Sequence, residues 1–99
     1  LDVHGLPETF ALHQNYPNPF NPSTTIRYDL PEASNVSLII YDMMGREVTT
    51  LMSGQVDAGY HFIQWDGTNS IGSSVAAGVY IYTIQAGKHR DVNKMIYLK

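Results

Sequence analysis

The chain has 99 residues, no cysteine, 43% hydrophobic and 15% charged residues and a net charge of −3. That length gives one domain, hiding roughly 65% of its unfolded surface; the composition excludes the disordered class, and the missing cysteines exclude disulfide staples, thiolate metal sites and a cysteine nucleophile. No run approaches the ~18 apolar residues of a membrane-spanning helix, so no transmembrane segment is expected.

Residues 1–9 read as the end of a linker from an upstream domain, polar and aperiodic with Gly5 and Pro7. Phe10, Leu12 and Tyr16 are expected to lie against the fold as a short first strand. Between them and the next strand, Pro17, Pro19 and Pro22 fall within six positions. Each fixes φ, removes a backbone donor and biases its predecessor toward extended geometry, so a rigid, irregular lead-in is predicted. Thr24–Leu30 then alternates apolar Ile26, Tyr28 and Leu30 with polar Arg27 and Asp29, the period of a half-buried strand, and Pro31 ends it.

Asn35–Asp42 places Val36, Leu38 and Ile40 on one face and Ile39 and Tyr41 on the other, which predicts a central strand covered on both sides at its far end. Asp42-Met43-Met44-Gly45 is a turn in which Gly45 supplies positive φ, and Arg46–Met52 is the returning strand. Ser53–Gly59 reads as a loop. Tyr60–Trp65 is the next strand, stopped by Asp66-Gly67, and the small, polar stretch 68–77 is a long connection turning at Gly72. Gly78–Gln85 is the strongest strand, rich in β-branched and aromatic residues. A turn at Ala86-Gly87-Lys88 leads to a last strand, Asp91–Leu98.

About seven short antiparallel strands with no helical periodicity make an all-β sandwich of immunoglobulin-like architecture. Its core is expected to hold Ile26, Tyr28, Leu38, Ile40, Trp65, Tyr80 and Tyr82, with Phe62 sharing the packing of Trp65.

Catalytic readings fail on residue type. There is no G-x-S-x-G elbow around Gly72-Ser73-Ser74-Val75, and His4, His13, His61 and His89 have no zinc-binding spacing. Asp42, Asp57 and Asp66 each adjoin a turn glycine or its neighbour, a pattern that Asx-type turns explain without a glycosidase pair. Asp66, Thr68, Asn69 and Ser70 form an oxygen-rich turn with only one carboxylate, thin for calcium. The expectation is a non-enzyme without metal or cofactor. Seven tyrosines could instead stack on sugar rings, or could fill the core with their hydroxyls at its rim.

Charge is unevenly spread. Residues 1–87 carry eight acids against Arg27 and Arg46, whereas residues 88–99 carry Lys88, Arg90, Lys94 and Lys99 against Asp91. One basic strip on an acidic body does not suit nucleic acid. It suits either an acidic partner or simple protection of a sheet edge by lysine.

The order of motifs along the chain is informative: Gln14-Asn15-Tyr16-Pro17-Asn18-Pro19-Phe20-Asn21-Pro22, Ile40-Tyr41-Asp42 with Gly45-Arg46, Ala58-Gly59, Trp65-Asp66-Gly67, Gly78-Val79-Tyr80, and Lys94-Met95 with Leu98-Lys99. In that order and spacing, residues 10–99 resemble the C-terminal sorting domain of proteins exported by the type IX (Por) secretion system, similar in fold to the immunoglobulin-like domain of the flagellar hook-capping protein. The resemblance implies a non-catalytic module, covalently part of a larger secreted parent of a Bacteroidetes-type bacterium. It also implies partners, the outer-membrane translocon and its sortase, and a destination at the cell surface or in the medium by way of the periplasm. The implied recognition residues are Pro17, Asn18, Pro19, Phe20, Gly45, Arg46, Lys94 and Lys99, with Lys99 as a native end. The basic terminal strand, expected at a sheet edge, further suggests strand addition to a partner. The start at Leu1 fits a piece of a longer protein, and the domain alone is expected to be monomeric. The competing expectation is a spacer or sugar-binding accessory domain of a secreted hydrolase.

Overall fold

A computed structural model describes residues 5–99. The alternation in Thr24-Thr25-Ile26-Arg27-Tyr28-Asp29-Leu30 produces strand β2 (Thr24–Leu30), and the same logic produces β3 (Ser34–Tyr41), β5 (Gly59–Trp65), β6 (Gly78–Ala86) and β7 (His89–Tyr97). Two further strands, β1 (Ala11–Leu12) and β4 (Glu47–Val56), complete two antiparallel sheets, one ordered β1-β2-β5 and the other β4-β3-β6-β7. The described residues contain no helix. The result is an all-β sandwich of seven strands.

Inward side chains of both sheets form one core, because successive residues of a strand point to opposite faces and only one face of each sheet meets the other. Ile26, Tyr28, Leu38, Ile40, Trp65, Tyr80 and Tyr82 are all buried there. Trp65 sits among aromatic rings, edge-on to Tyr80 at 5.3 Å and tilted against Phe20 at 5.7 Å and Tyr97 at 6.1 Å. Phe62 is not among them. It is 64% exposed, since Trp65 points inward and a residue three positions away on the same strand must point outward. Tyr16, expected against the fold, is likewise on the surface, at 80% exposure, while its neighbour Asn15 turns inward.

The loop expected over Ser53–Gly59 is shorter. Strand β4 continues through Val56 because Ser53, Gly54 and Gln55 pair with Ser37, Val36 and Asn35 of β3, and ladder hydrogen bonds override their weak strand preference. Only Asp57 and Ala58 remain to carry the chain from one sheet to the other. Strand β3 is central within its sheet, flanked by β4 and β6, but Ile39 and Tyr41 on its outer face are half-buried, not covered by another layer.

Asp42 organises the β3–β4 turn. Its Oδ1 accepts hydrogen bonds from the amides of Met44 and Arg46, each at 2.9 Å, and its Oδ2 accepts one from Arg46 Nε at 2.9 Å. These donors, the Arg46 amide foremost, hold the Asp42 carboxyl below the ordinary carboxylate range.

On the outer face of the three-stranded sheet, Asp29 is 6% exposed and accepts hydrogen bonds from Arg27 Nε at 2.9 Å and Arg27 Nη2 at 3.1 Å, with His13 Nε2 at 2.8 Å. Burial by itself would raise the Asp29 carboxyl, but the bonds from Arg27 and His13 outweigh it and hold the group below its ordinary value. A depressed folded pKa stabilises the fold above the unfolded pKa of about 3.9, and that stabilisation is lost as pH falls through the folded value. Asp29→Asn is therefore expected to flatten the acid limb of a stability–pH curve, most visibly between about pH 5 and pH 2. Urea midpoints measured across that range check it, and an unaltered acid limb would contradict it.

Candidate recognition surface

The proline-rich segment is built by one buried amide. Asn15, 2% exposed, donates from Nδ2 to Thr24 Oγ1 at 2.9 Å and to the Pro17 carbonyl at 3.2 Å, while Thr24 Oγ1 donates to that same carbonyl at 2.8 Å. Tyr16 and Thr25 exchange backbone hydrogen bonds, both at 2.9 Å, so the prolines sit in a loop pinched at its base. All three X-Pro bonds, at Pro17, Pro19 and Pro22, are cis. Tyr82 fastens the segment to the opposite sheet: its hydroxyl accepts from the Asn15 amide and donates to the His13 carbonyl, both at 2.8 Å.

From that base the loop reaches across to β7. The Phe20 amide donates to the Ile96 carbonyl at 3.0 Å, and the Leu98 amide donates to the Phe20 carbonyl at 2.9 Å. Side-chain amides add to this contact: Asn18 Oδ1 accepts from the Ile96 amide at 2.9 Å, and Gln14 Nε2 donates to the Lys94 carbonyl at 2.7 Å. Three edge groups of β7, on Lys94 and Ile96, and the Leu98 amide just beyond it are thereby occupied. This differs from the expectation of an open terminal strand, because the outer strand of a sheet is stable when something covers its row of donors and acceptors, and here the proline-rich segment does so.

Phe20 is 1% exposed, stacked on Tyr97 at 5.0 Å with an interplanar angle of 13°. It belongs to the core. Pro17, Asn18, Pro19, Lys94 and Lys99 are exposed. Lys99 Nζ lies 5.9 Å from the centroid of the Tyr97 ring. A shallow depression of about 300 Å³ lies between Gln14, Asn18, Val79, Lys94 and Ile96. These side chains come from three parts of the sequence and form one continuous surface.

Gly45 and Arg46 lie at the same pole of the sandwich, since Tyr41, Ile81 and Lys94 share one level of the four-stranded sheet and the β3–β4 turn lies beyond it. They sit toward the far edge, however, with β3 and β6 between β4 and β7. Arg46 is paired with Asp42 at 2.9 Å. The surface thus unites the proline-rich segment with the terminal strand and leaves the β3–β4 turn apart.

Two residues not connected with this surface from the sequence, Tyr97 and Gly67, hold it together. Tyr97 is buried against Phe20 and Trp65, and Gly67, at φ +77°, lies so close to it that a Cβ there would fall 2.6 Å from the Tyr97 ring. The interleaving of Gln14, Asn15 and Asn18 with prolines was the available signal for the amide bonds. Nothing local signalled the contact between Gly67 and Tyr97.

Among the described residues no three His, Cys, Asp or Glu side chains are grouped to hold a metal. His13 serves Asp29, His61 stacks on Tyr28 at 5.3 Å and His89 on Phe10 at 4.8 Å, while His4 lies outside the described residues. In the oxygen-rich turn, Thr68 Oγ1 donates to Asp66, and Asn69 Oδ1 accepts from the amides of Ile71 and Ser73. Those atoms close the turn. No helix of the described residues is long and apolar enough to cross a membrane.

The structure is similar to part of dimeric latent PorU from Porphyromonas gingivalis, with a TM-score of 0.68 and 24% identity over 91% of this chain and 9% of that one. It is also similar to part of PorZ, described as an essential bacterial surface component of the type IX secretion system of the same organism, with a TM-score of 0.58 and 21% identity over 91% of this chain and 11% of that one. At such identities the likeness is one of fold, and the chain spans only a small share of either protein. No curated protein sequence matches the chain. The FlgD Ig-like domain profile matches residues 21–90, a span that holds β2 to β6 and stops short of both Pro17–Phe20 and Lys94–Lys99. With more than half of its length matched by that profile, the chain belongs to the FlgD Ig-like domain family.

Proposed function

We propose that this domain is a non-catalytic C-terminal sorting module, which directs a larger exported parent from the periplasm through the outer-membrane type IX translocon to the cell surface or medium. Its partners are then the translocon and the sortase that processes the arriving protein. The observation that carries this reading is the joining of the proline-rich segment to the terminal strand, through Phe20, Asn18 and Gln14, into one rigid surface. Two motifs 78 residues apart, each with little meaning alone, become a single feature that a receptor can read. The likeness in fold to part of PorZ, a surface component of that secretion system, supports the same reading.

The mode of recognition follows from the covered edge. A partner adding a strand beside Lys94–Leu98 would have to displace Gln14, Asn18 and Phe20, so the reading is recognition of the assembled surface by side-chain contacts, with Pro17, Asn18, Pro19, Lys94 and Lys99 exposed on a fixed backing.

Truncating Lys94–Lys99 would be a poor test, because it removes the buried Met95 and Tyr97 and would unfold the domain. Reversing the two exposed charges is cleaner. A parent carrying Lys94→Glu and Lys99→Glu is expected to accumulate in the periplasm, while the variant domain keeps its unfolding free energy within about 0.5 kcal/mol. Normal surface delivery of that parent would reject the proposal and favour a spacer.

A further inference from the structure

The structure separates the tyrosines that the sequence left together. Tyr28, Tyr80, Tyr82 and Tyr97 are buried, whereas Tyr16 is 80% and Tyr60 38% exposed, and Phe62 is 64% exposed. These last three share one surface. Tyr60 and Phe62 alternate on β5 opposite Asp29 and Arg27, while Tyr16 is bridged to Thr25 on the other side of β2, so all three face outward from the three-stranded sheet. Strand geometry puts Tyr60 and Phe62 about 7 Å apart and Tyr16 about 12 Å from Phe62, measured between backbones.

We propose that this aromatic strip binds carbohydrate, taking the flat C–H faces of consecutive pyranose rings in a neutral, β-1,4-linked polysaccharide. Three features favour that ligand. The strip is aromatic instead of aliphatic, and an aromatic face carries the negative quadrupole that attracts the polarised C–H groups of a sugar ring. Its charge is internally balanced: Arg27 is bound to Asp29 at 2.9 Å and its guanidinium lies 5.1 Å from the Tyr60 ring centroid, so the strip matches a neutral chain and offers no free cation to an anionic one. Finally, three depressions of the described residues lie elsewhere, around Glu32 and Lys88, around Asp42 and Ile71, and around Asn18 and Lys94. A row of exposed rings along one sheet face, led by Tyr16 and Phe62, suits a ribbon-like polysaccharide. Gln64, exposed and level with Thr25, and the tyrosine hydroxyls supply hydrogen bonds to sugar hydroxyls at the margins.

The strip faces outward from the three-stranded sheet, away from Lys94 of the four-stranded sheet, and meets the proline-rich segment only at Tyr16. The test is co-sedimentation of the 99-residue domain with microcrystalline cellulose, chitin and insoluble xylan. Saturable binding to at least one of them is expected, weakened roughly tenfold or more by Tyr16→Ala combined with Phe62→Ala. Lys94→Glu should leave it unchanged. Both aromatic side chains are largely in solvent, and an unaltered unfolding midpoint confirms that the variant is folded. Absence of binding to all three polysaccharides overturns the proposal, as does binding that the double variant retains. A sugar-independent dimer abolished by the double variant overturns it too, by showing that the strip is a protein interface.

Discussion

Phe20→Ala is expected to destabilise the domain by about 3–5 kcal/mol, the range for removing a fully buried phenylalanine. The ring is 1% exposed, lies 5.0 Å from Tyr97 and 5.7 Å from Trp65, and closes the end of the core where the two sheets would otherwise part. For a domain of this size the change corresponds to a fall in melting temperature of at least about 12 °C. Because the Phe20 amide and carbonyl hold β7 only while the ring is seated, the proline-rich segment should also lose its protection. Thermal unfolding followed by Trp65 fluorescence measures the first effect, and hydrogen exchange at the amides of Phe20, Ile96 and Leu98 measures the second. Unchanged stability with impaired delivery of the parent would instead make Phe20 a residue that the receptor touches.

Gly67→Ala is expected to cost about 2–5 kcal/mol. Part of this, about 1–2 kcal/mol, comes from forcing a Cβ into the left-handed region at φ +77°. The remainder, about 1–3 kcal/mol, comes from overpacking, since the new carbon would lie 2.6 Å from the Tyr97 ring and that ring is backed by Phe20 and Trp65. Gly72 supplies the control. It has a similar φ of +86° with open space around it, so Gly72→Ala should show the backbone cost alone. Urea unfolding of the two variants separates the contributions, and equal destabilisation would show that Tyr97 moves aside freely.

What could be read from the sequence was what depends on local period. Ile26, Tyr28 and Leu30 mark the inner face of β2 because the two-residue repeat of a strand is visible in one line of text, and Asp42 with Gly45 marks a turn through chemistry confined to five residues. The same parity argument, followed from Trp65, would have placed Phe62 outside. Ser53-Gly54-Gln55 has the composition of a loop, and only its pairing with β3 makes it a strand. The recognition surface was half legible. Its proline-rich and basic parts stood out individually, but the bonds joining Asn18 and Phe20 to Ile96 depend on tertiary folding, as does the closeness of Gly67 to Tyr97. The basic terminal strand is indeed an outer strand, and the proline-rich segment protects its far end more directly than lysine does.

Transplanting the domain measures sorting most directly. Residues 1–99 are fused to the C-terminus of a fluorescent reporter bearing an inner-membrane export signal, in a Gram-negative bacterium with type IX machinery. The fusion is expected on the cell surface or in the medium, with the same reporter lacking the domain confined to the periplasm. A folded fusion that stays in the periplasm alongside that control would contradict the view that this surface acts as an address.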